Sequence, residues 1–138
     1  MVEKHAHAPG KRKKSIARAT VKEGKGRVTV NCVPLDIHQP EAARFKIKEA
    51  LIYASDHVDL GKVDIAVNVH GGGIMGQADA VRSAIARGLV AYTKKDDLRN
   101  VYLARDRTMI AGDHRLTETH KPSQSSKGPR HKRQKSYR

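Results

Sequence analysis

The chain has 138 residues, with 28 Lys plus Arg against 14 Asp plus Glu and a formal charge of +14. That length suits one domain, and such a charge excess repels itself unless a polyanion offsets it, which makes nucleic acid the first candidate partner and an anionic membrane surface the second. No apolar run approaches the ~18 residues of a spanning helix, and the N-terminal MVEKHAHAPGKRKK has no apolar signal core, so the chain reads as cytosolic. Cys32 is the single cysteine, which excludes an intrachain disulfide and a Cys-based zinc site. With one Phe, four Tyr and no Trp, the core must be aliphatic.

Residues 1–14 are polar and end in GKRKK, which reads as a flexible arm or an irregular lead-in to a strand. SIARATVKEG then alternates, with Ala17, Ala19 and Val21 on one face and Arg18, Thr20 and Lys22 on the other. KGRVTVNC repeats the pattern with Val28, Val30 and Cys32, which predicts a buried thiol. The Gly-containing link from Glu23 to Gly26 predicts a hairpin between the two. Val33 to Ile37 adds a short strand, placed at an edge by Pro34. QPEAARFKIKEALIYASDH switches to helical period, with Pro40 and Glu41 suited to the first turn and a stripe of Ala43, Ile47, Ala50, Leu51 and Ala54. KVDIAVNVH is a strand with Val63, Ile65, Val67 and Val69 on one face, and it runs into GGGIMG. A second helix follows with the stripe Ala78, Val81, Ile85, Leu89 and Tyr92, and a third starts at Asp96 or Asp97 and carries Leu98, Val101 and Tyr102. Periodicity fades from about Arg105, and residues 121–138 hold seven Lys or Arg and no acid, the composition of a segment that does not order alone.

A glycine-rich turn between strand and helix can lay backbone N–H groups against a phosphate. GGGIMG lacks the GK[ST] of a P-loop and follows the dinucleotide spacing only loosely, so a phosphate contact and a merely tight turn both remain open. The eight histidines include no helical i, i+4 pair, and Asp96 with Asp97 reads as a helix start, so no metal site, cofactor or catalytic set is expected. A small phosphotransferase built on GGGIMG lacks a carboxylate set for Mg²⁺, and a DNA reader lacks a helix with a dense basic face. Arg82 lies near the edge of the second helix's stripe, with its head expected to reach outward, and Arg87 lies nearly opposite that stripe. Scarce aromatics disfavour base stacking, so phosphate and shape recognition of structured RNA fits best.

At GGGIMGQADAVRSAIARGL the chain resembles the universal S-nine family of small-subunit ribosomal proteins, through Gly71, Gly72, Gly73, Gly76, Gln77, Arg82, Ile85, Ala86 and Arg87. The resemblance continues at GKRKKSIARA, DRTMIAGDHR and QKSYR and covers almost the whole chain; the ending and the connector look archaeal. Two departures are Gly88, where the family usually has Ala, and Cys32, near a turn where many members have Gly. The resemblance implies an α/β fold of α+β type: a two-layer sandwich, mostly antiparallel, with helices on one face. It also implies similarity to a ribosomal S-five domain and a left-handed βαβ crossover, against the usual right-handed rule. The expected division is a basic arm over 1–14, a globular body over 15–110 and an extended basic tail over 111–138.

The same resemblance implies a structural constituent of the small-subunit head. Its expected ribosomal RNA contacts begin with Lys11, Arg12, Lys13, Lys14 and Arg18. The loop and helix supply Gly71, Gly72, Gly73, Gln77, Arg82 and Arg87, and the connector supplies Arg107 and Arg115. Lys121, Lys127, Arg130, Lys132 and Arg133 continue the surface along the tail. The resemblance also implies that Lys135, Ser136, Tyr137 and Arg138 touch tRNA in the peptidyl site, which the reach of residues 121–138, up to roughly 60 Å when extended at ~3.3 Å each, permits. Other head proteins complete the expected partners, with no membrane and no small-molecule substrate among them.

Overall fold

The period-two stretches pair into one sheet, and the period-3.6 stretches cover one side of it, in a computed structural model that describes residues 5–116. The strands are β1 (His5–Arg12), β2 (Ser15–Glu23), β3 (Val28–Val30), β4 (Val33–Pro34) and β5 (Val63–His70). The helices are α1 (Glu41–Ala54), α2 (Ile74–Thr93), α3 (Asp96–Arg105) and the short α4 (Thr108–Ala111), with single 3-10 turns at Leu35–Ile37 and Leu60–Lys62. The sheet order is β1-β2-β5-β3-β4, antiparallel at every pairing except the parallel β3–β5. That parallel pair is joined through α1, so the architecture is the expected mixed α+β sheet with a βαβ unit.

Alternation decides which face is covered. Ala17, Ala19 and Val21 on β2 and Val63, Ile65, Val67 and Val69 on β5 are buried, while Arg18, Lys22, Ala66, Asn68 and His70 between them are exposed. The buried face meets Ile47 and Ala50 of α1 and Val81, Ile85 and Leu89 of α2 in one core. Tyr102 of α3 is fully buried there, and its hydroxyl donates to the Ala50 carbonyl at 2.7 Å. Burial raises its pKa, so the hydroxyl stays protonated as that bond requires.

The helix α2 is buried on more than the stripe visible in its sequence. Residues 80–86 are all buried, because the sheet, α1 and α4 surround the helix. Its closest approach to the sheet is a second row of small residues, Ala80, Ala84 and Gly88. A Cβ on Gly10 of β1 would collide with the Ala80 carbonyl and stand 2.7 Å from the Ala84 nitrogen. One on Gly88 would stand 2.8 Å from Cγ2 of Val21. The departure at Gly88 therefore sits where the helix lies directly on β2.

Four expectations change. The strand expected over Val33 to Ile37 stops at Pro34 and gives way to the 3-10 turn Leu35–Ile37. Residues 5–12, read as an arm or an irregular lead-in, form β1, paired from His5↔Lys22 to Arg12↔Ser15. Its inward positions, Ala8 and Gly10, are buried but too small to register as an apolar stripe. The hairpin between β2 and β3 does not form, because both edges of β2 are taken by β1 and β5. Gly24, Lys25 and Gly26 instead carry the chain around the start of β5, where the Asp64 carboxylate accepts from the Lys25 and Arg27 amides at 2.8 and 2.9 Å. Cys32 is exposed rather than buried. Asn31 and Cys32 form a two-residue turn at φ 49° and 65° between β3 and β4, so the alternation ends at Val30. The tail positions from 117 onward lie outside the described residues.

Candidate nucleic-acid interface

The glycine triplet welds two turns together. Gly71 and Gly72 have φ of 78° and 67°, conformations open to glycine. A Cβ on Gly72 would overlap the Ser15 hydroxyl, while one on Gly73 meets nothing within 4 Å. Ser15 Oγ and Gln77 Nε2 both donate to the Gly71 carbonyl, at 2.9 and 3.1 Å. Gln77 is thus engaged inside the loop that it was expected to present to RNA. The result is a pocket lined by Lys13, Lys14, Gly72, Gly73, Ile74, Met75 and Gly76, with Asp79, whose carboxylate is paired with Lys46, also in its wall. No side chain caps the start of α2 at Gly73, so its first amides point outward. Lys13 and Lys14 are exposed beside them. The arrangement suits a phosphate oxygen, with the helix dipole adding to the two ammonium groups.

The arginines divide into two groups. Arg82 is 8% exposed and turned inward, not outward. Its Nη1 donates to Glu49 Oε2 at 2.6 Å, and its Nη2 to Asp106 Oδ2 at 2.8 Å and Thr108 Oγ1 at 3.2 Å. Burial opposes the charge on Arg82, but the bonds to Glu49 and Asp106 outweigh it and hold its pKa above the ordinary value. Burial likewise tends to raise the Asp106 pKa, yet the Thr108 and Arg82 bonds bring it below the usual carboxylate value. Arg87 spans α2 to both neighbours: Nε donates to the Ile110 carbonyl at 2.7 Å and Nη1 to the Pro9 carbonyl at 3.0 Å. Arg12 is half-buried, with Nη1 3.1 Å from Asp113 and donating to the Arg115 carbonyl at 3.2 Å. Arg115 closes on Asp113 through Nη2 at 2.7 Å, and that bond with the Arg115 amide holds the Asp113 pKa well below the usual range. Lys46 meets Asp79 at 2.7 Å. Four cations and four acids (Arg12, Lys46, Arg82 and Arg115; Glu49, Asp79, Asp106 and Asp113) thereby form one neutral network between α2 and the connector.

Five of the expected contact residues face water. Lys11, Lys13, Lys14, Arg18 and Arg107 are exposed, with no ion pair among the described residues. Lys11 and Arg107 share a cleft with Gly112 and His114. Among the described residues, no three His, Cys, Asp or Glu side chains gather where a metal ion could sit. Sequence reasoning missed the acids that engage Arg12, Arg82 and Arg115. Asp113 lies two residues from Arg115 and Asp79 one turn from Arg82, so spacing could have suggested those two pairs, whereas Glu49 and Asp106 for Arg82, and Asp79 and Asp113 for Arg12, lie in other elements that spacing along one helix cannot reveal. The signal for the Gln77 role was weaker still, since it depends on the positive φ of Gly71.

The fold and this surface define a small, strongly basic α+β protein whose unneutralised charge is carried on exposed side chains. The profile of the family described as Ribosomal protein S9/S16 matches residues 10–138. The small ribosomal subunit protein uS9 of Methanococcus maripaludis strain S2 is 47% identical over 135 residues, covering 98% of this chain and 99% of its own length. Its counterpart in Methanococcus vannielii is 45% identical over the same coverage. The chain belongs to the ribosomal protein S9/S16 family, in its archaeal form. It is accordingly a structural protein of the small ribosomal subunit in the cytoplasm, and not an enzyme.

Proposed function

We propose that the chain docks on small-subunit ribosomal RNA through the basic surface of its body, and that its C-terminal tail reaches tRNA in the peptidyl site. The division of charge carries this reading. The eight-group network is internally neutral, and the exposed Lys11, Lys13, Lys14, Arg18 and Arg107 make no ion pair with any acid among the described residues. A polyanion offsets such charge by displacing its own counterions. Lys13 and Lys14, with the open start of α2, form the phosphate contact of highest specificity, and Gly71, Gly72 and Gly73 allow the close approach. Arg12, Arg82, Arg87 and Arg115 belong to this function indirectly: they hold the connector to the body and so set where the tail begins. Lys121, Lys127, Arg130, Lys132 and Arg133 extend the ribosomal RNA contact, and Lys135, Ser136, Tyr137 and Arg138 form the tRNA contact. The working division is a body that includes β1, followed by the basic tail, with other head proteins as neighbours.

Co-sedimentation tests the reading. The full chain is expected to travel with small subunits in moderate salt, and the Lys13→Ala/Lys14→Ala variant to dissociate at lower salt. A chain that stays free at every salt concentration overturns the proposal.

A further inference from the structure

The helices cover one face of the sheet and leave the other open. The ladder registers place side chains on that open face in rows. Lys11, Ile16 and His70 form one row across β1, β2 and β5, and Pro9, Arg18 and Asn68 form the next. Thr20 and Ala66 form a third row with His7, extended by Thr29 of β3, and Lys22 stands in the fourth. Every one of these side chains is exposed or half-buried. Asp64, beside Lys22, is the one acid in these rows, and its carboxylate is engaged by two backbone amides of the neighbouring turn.

The relief of this face is low and its charge is one-sided. Lys11, Arg18 and Lys22 line the β1–β2 side, while Ala66, Asn68 and Thr29 give a flat, small and polar centre on β5 and β3. At ~4.8 Å between strands and ~6.8 Å between rows, the platform measures about 15 by 20 Å. No Phe, Tyr or Trp lies in these rows, so the face offers no ring of that kind for unpaired bases to stack on. The minor groove of an A-form helix has the complementary shape: wide, shallow, lined with 2′-hydroxyls and bordered by phosphates. The narrow minor groove of B-DNA would have to be widened to admit a sheet face, whereas that of A-form RNA is already wide. We infer that the open sheet face, which carries Lys11 and Arg18 of the proposed surface, is seated on the minor groove of a double-helical RNA segment. Arg18, Lys22 and Lys11 would reach one phosphate strand, and Thr20, Thr29 and Asn68 would face the 2′-hydroxyls. The inference rests on the proposed RNA-binding function and adds the class of RNA and the face that holds it.

A tethered radical source separates the two claims. In a Cys32→Ser background, Ala66→Cys carrying an iron chelate is incorporated into small subunits. Cuts on both strands of one paired RNA segment, each displaced towards its 3′ side, are expected from a minor-groove position. Cuts confined to unpaired RNA, or none because a protein covers the face, would overturn the inference while leaving the proposed function standing. Failure of the labelled chain to enter subunits would instead count against the proposed function. The inference is then judged by binding of the full chain to a mixed-sequence RNA duplex. There Arg18→Gln/Lys22→Gln is expected to lower the salt slope of affinity by about two, one for each lost phosphate contact. Arg99→Gln, an exposed change on α3, is expected to leave the slope nearly unchanged. Equal effects of the two variants would overturn the inference.

Discussion

Arg82 illustrates how charge alone misleads about position. Its guanidinium lies inside the protein, and removing it leaves Glu49 and Asp106 facing each other's negative potential. Breaking a buried pair costs roughly 3–5 kcal/mol, but Glu49 and Asp106 keep 34% and 31% of their side-chain exposure, so water recovers part of the loss. Arg82→Ala is therefore expected to lower unfolding free energy by about 2–3 kcal/mol in denaturant titrations. A variant as stable as the parent would mean that the network is idle. The sign of the pH effect follows from Asp106, whose folded pKa lies below the ordinary 3.8. Its contribution is complete above that value and is lost as pH falls through the lower folded pKa. Asp106→Asn should flatten that part of the acid-unfolding curve. Cys32 gives the opposite case. It holds φ at 65° with its side chain exposed, so Cys32→Gly relieves backbone strain without opening a cavity. A gain of about 0.5–1 kcal/mol is expected in thermal melts, less than the ~1–2 kcal/mol left-handed penalty because glycine also frees the unfolded chain. A loss of stability would show that the thiol makes a contact of value.

At the scale of elements, the seam between β1 and α2 is the tightest join in the body. Gly10→Ala drives a methyl group into the backbone of α2, which cannot rotate away as a side chain could. Overpacking typically costs about 1–3 kcal/mol, and backbone contact places this change at the upper end. Gly73→Ala, with open space around it and φ of −107°, is expected to change stability by less than about 0.5 kcal/mol. Thermal melts of the pair check the seam: equal effects would mean that β1 does not bear on α2. This join also explains what the sequence allowed to be read. β2, β5 and the three longer helices announce themselves because their inward side chains are large enough to show a period. β1 was hidden because Ala8 and Gly10 must be small. The order of strands was hidden because Gly24 to Gly26 suits a hairpin and a crossing loop equally well. Lys13, Lys14 and Arg18 were legible as surface cations from local pattern. Arg82 and Arg87 were placed on the correct helix but given the wrong surroundings, since their partners are 23 to 33 residues away along the chain, and 78 away at Pro9.

For the whole molecule, the proposed tRNA contact belongs to sequence positions outside the body that carries the neutral network and the exposed cations. Deleting residues 135–138 removes two cations and the Tyr137 ring and leaves the body's surface untouched. Subunit assembly is expected to persist, while peptidyl-site tRNA retention falls by about tenfold at low salt, the equivalent of one charge-assisted bond of about 1.5 kcal/mol. The deficit should shrink as salt rises. Filter binding of tRNA to reconstituted subunits measures both. Unchanged retention at low salt would remove the tail from the tRNA contact.

The strand order has a consequence for synthesis. β5 lies in the middle of the sheet, yet it is the last strand among the described residues. Until residue 70 has left the ribosome, β2 and β3 each present an edge of unpaired backbone N–H and C=O groups to an empty central place, and α2 is not yet available to cover their apolar face. Each unpaired edge is a template for association with another chain. The sheet therefore completes in one late step, when β5 enters between strands already made, and a nascent chain halted in α1 is the form of this protein at greatest risk of aggregation.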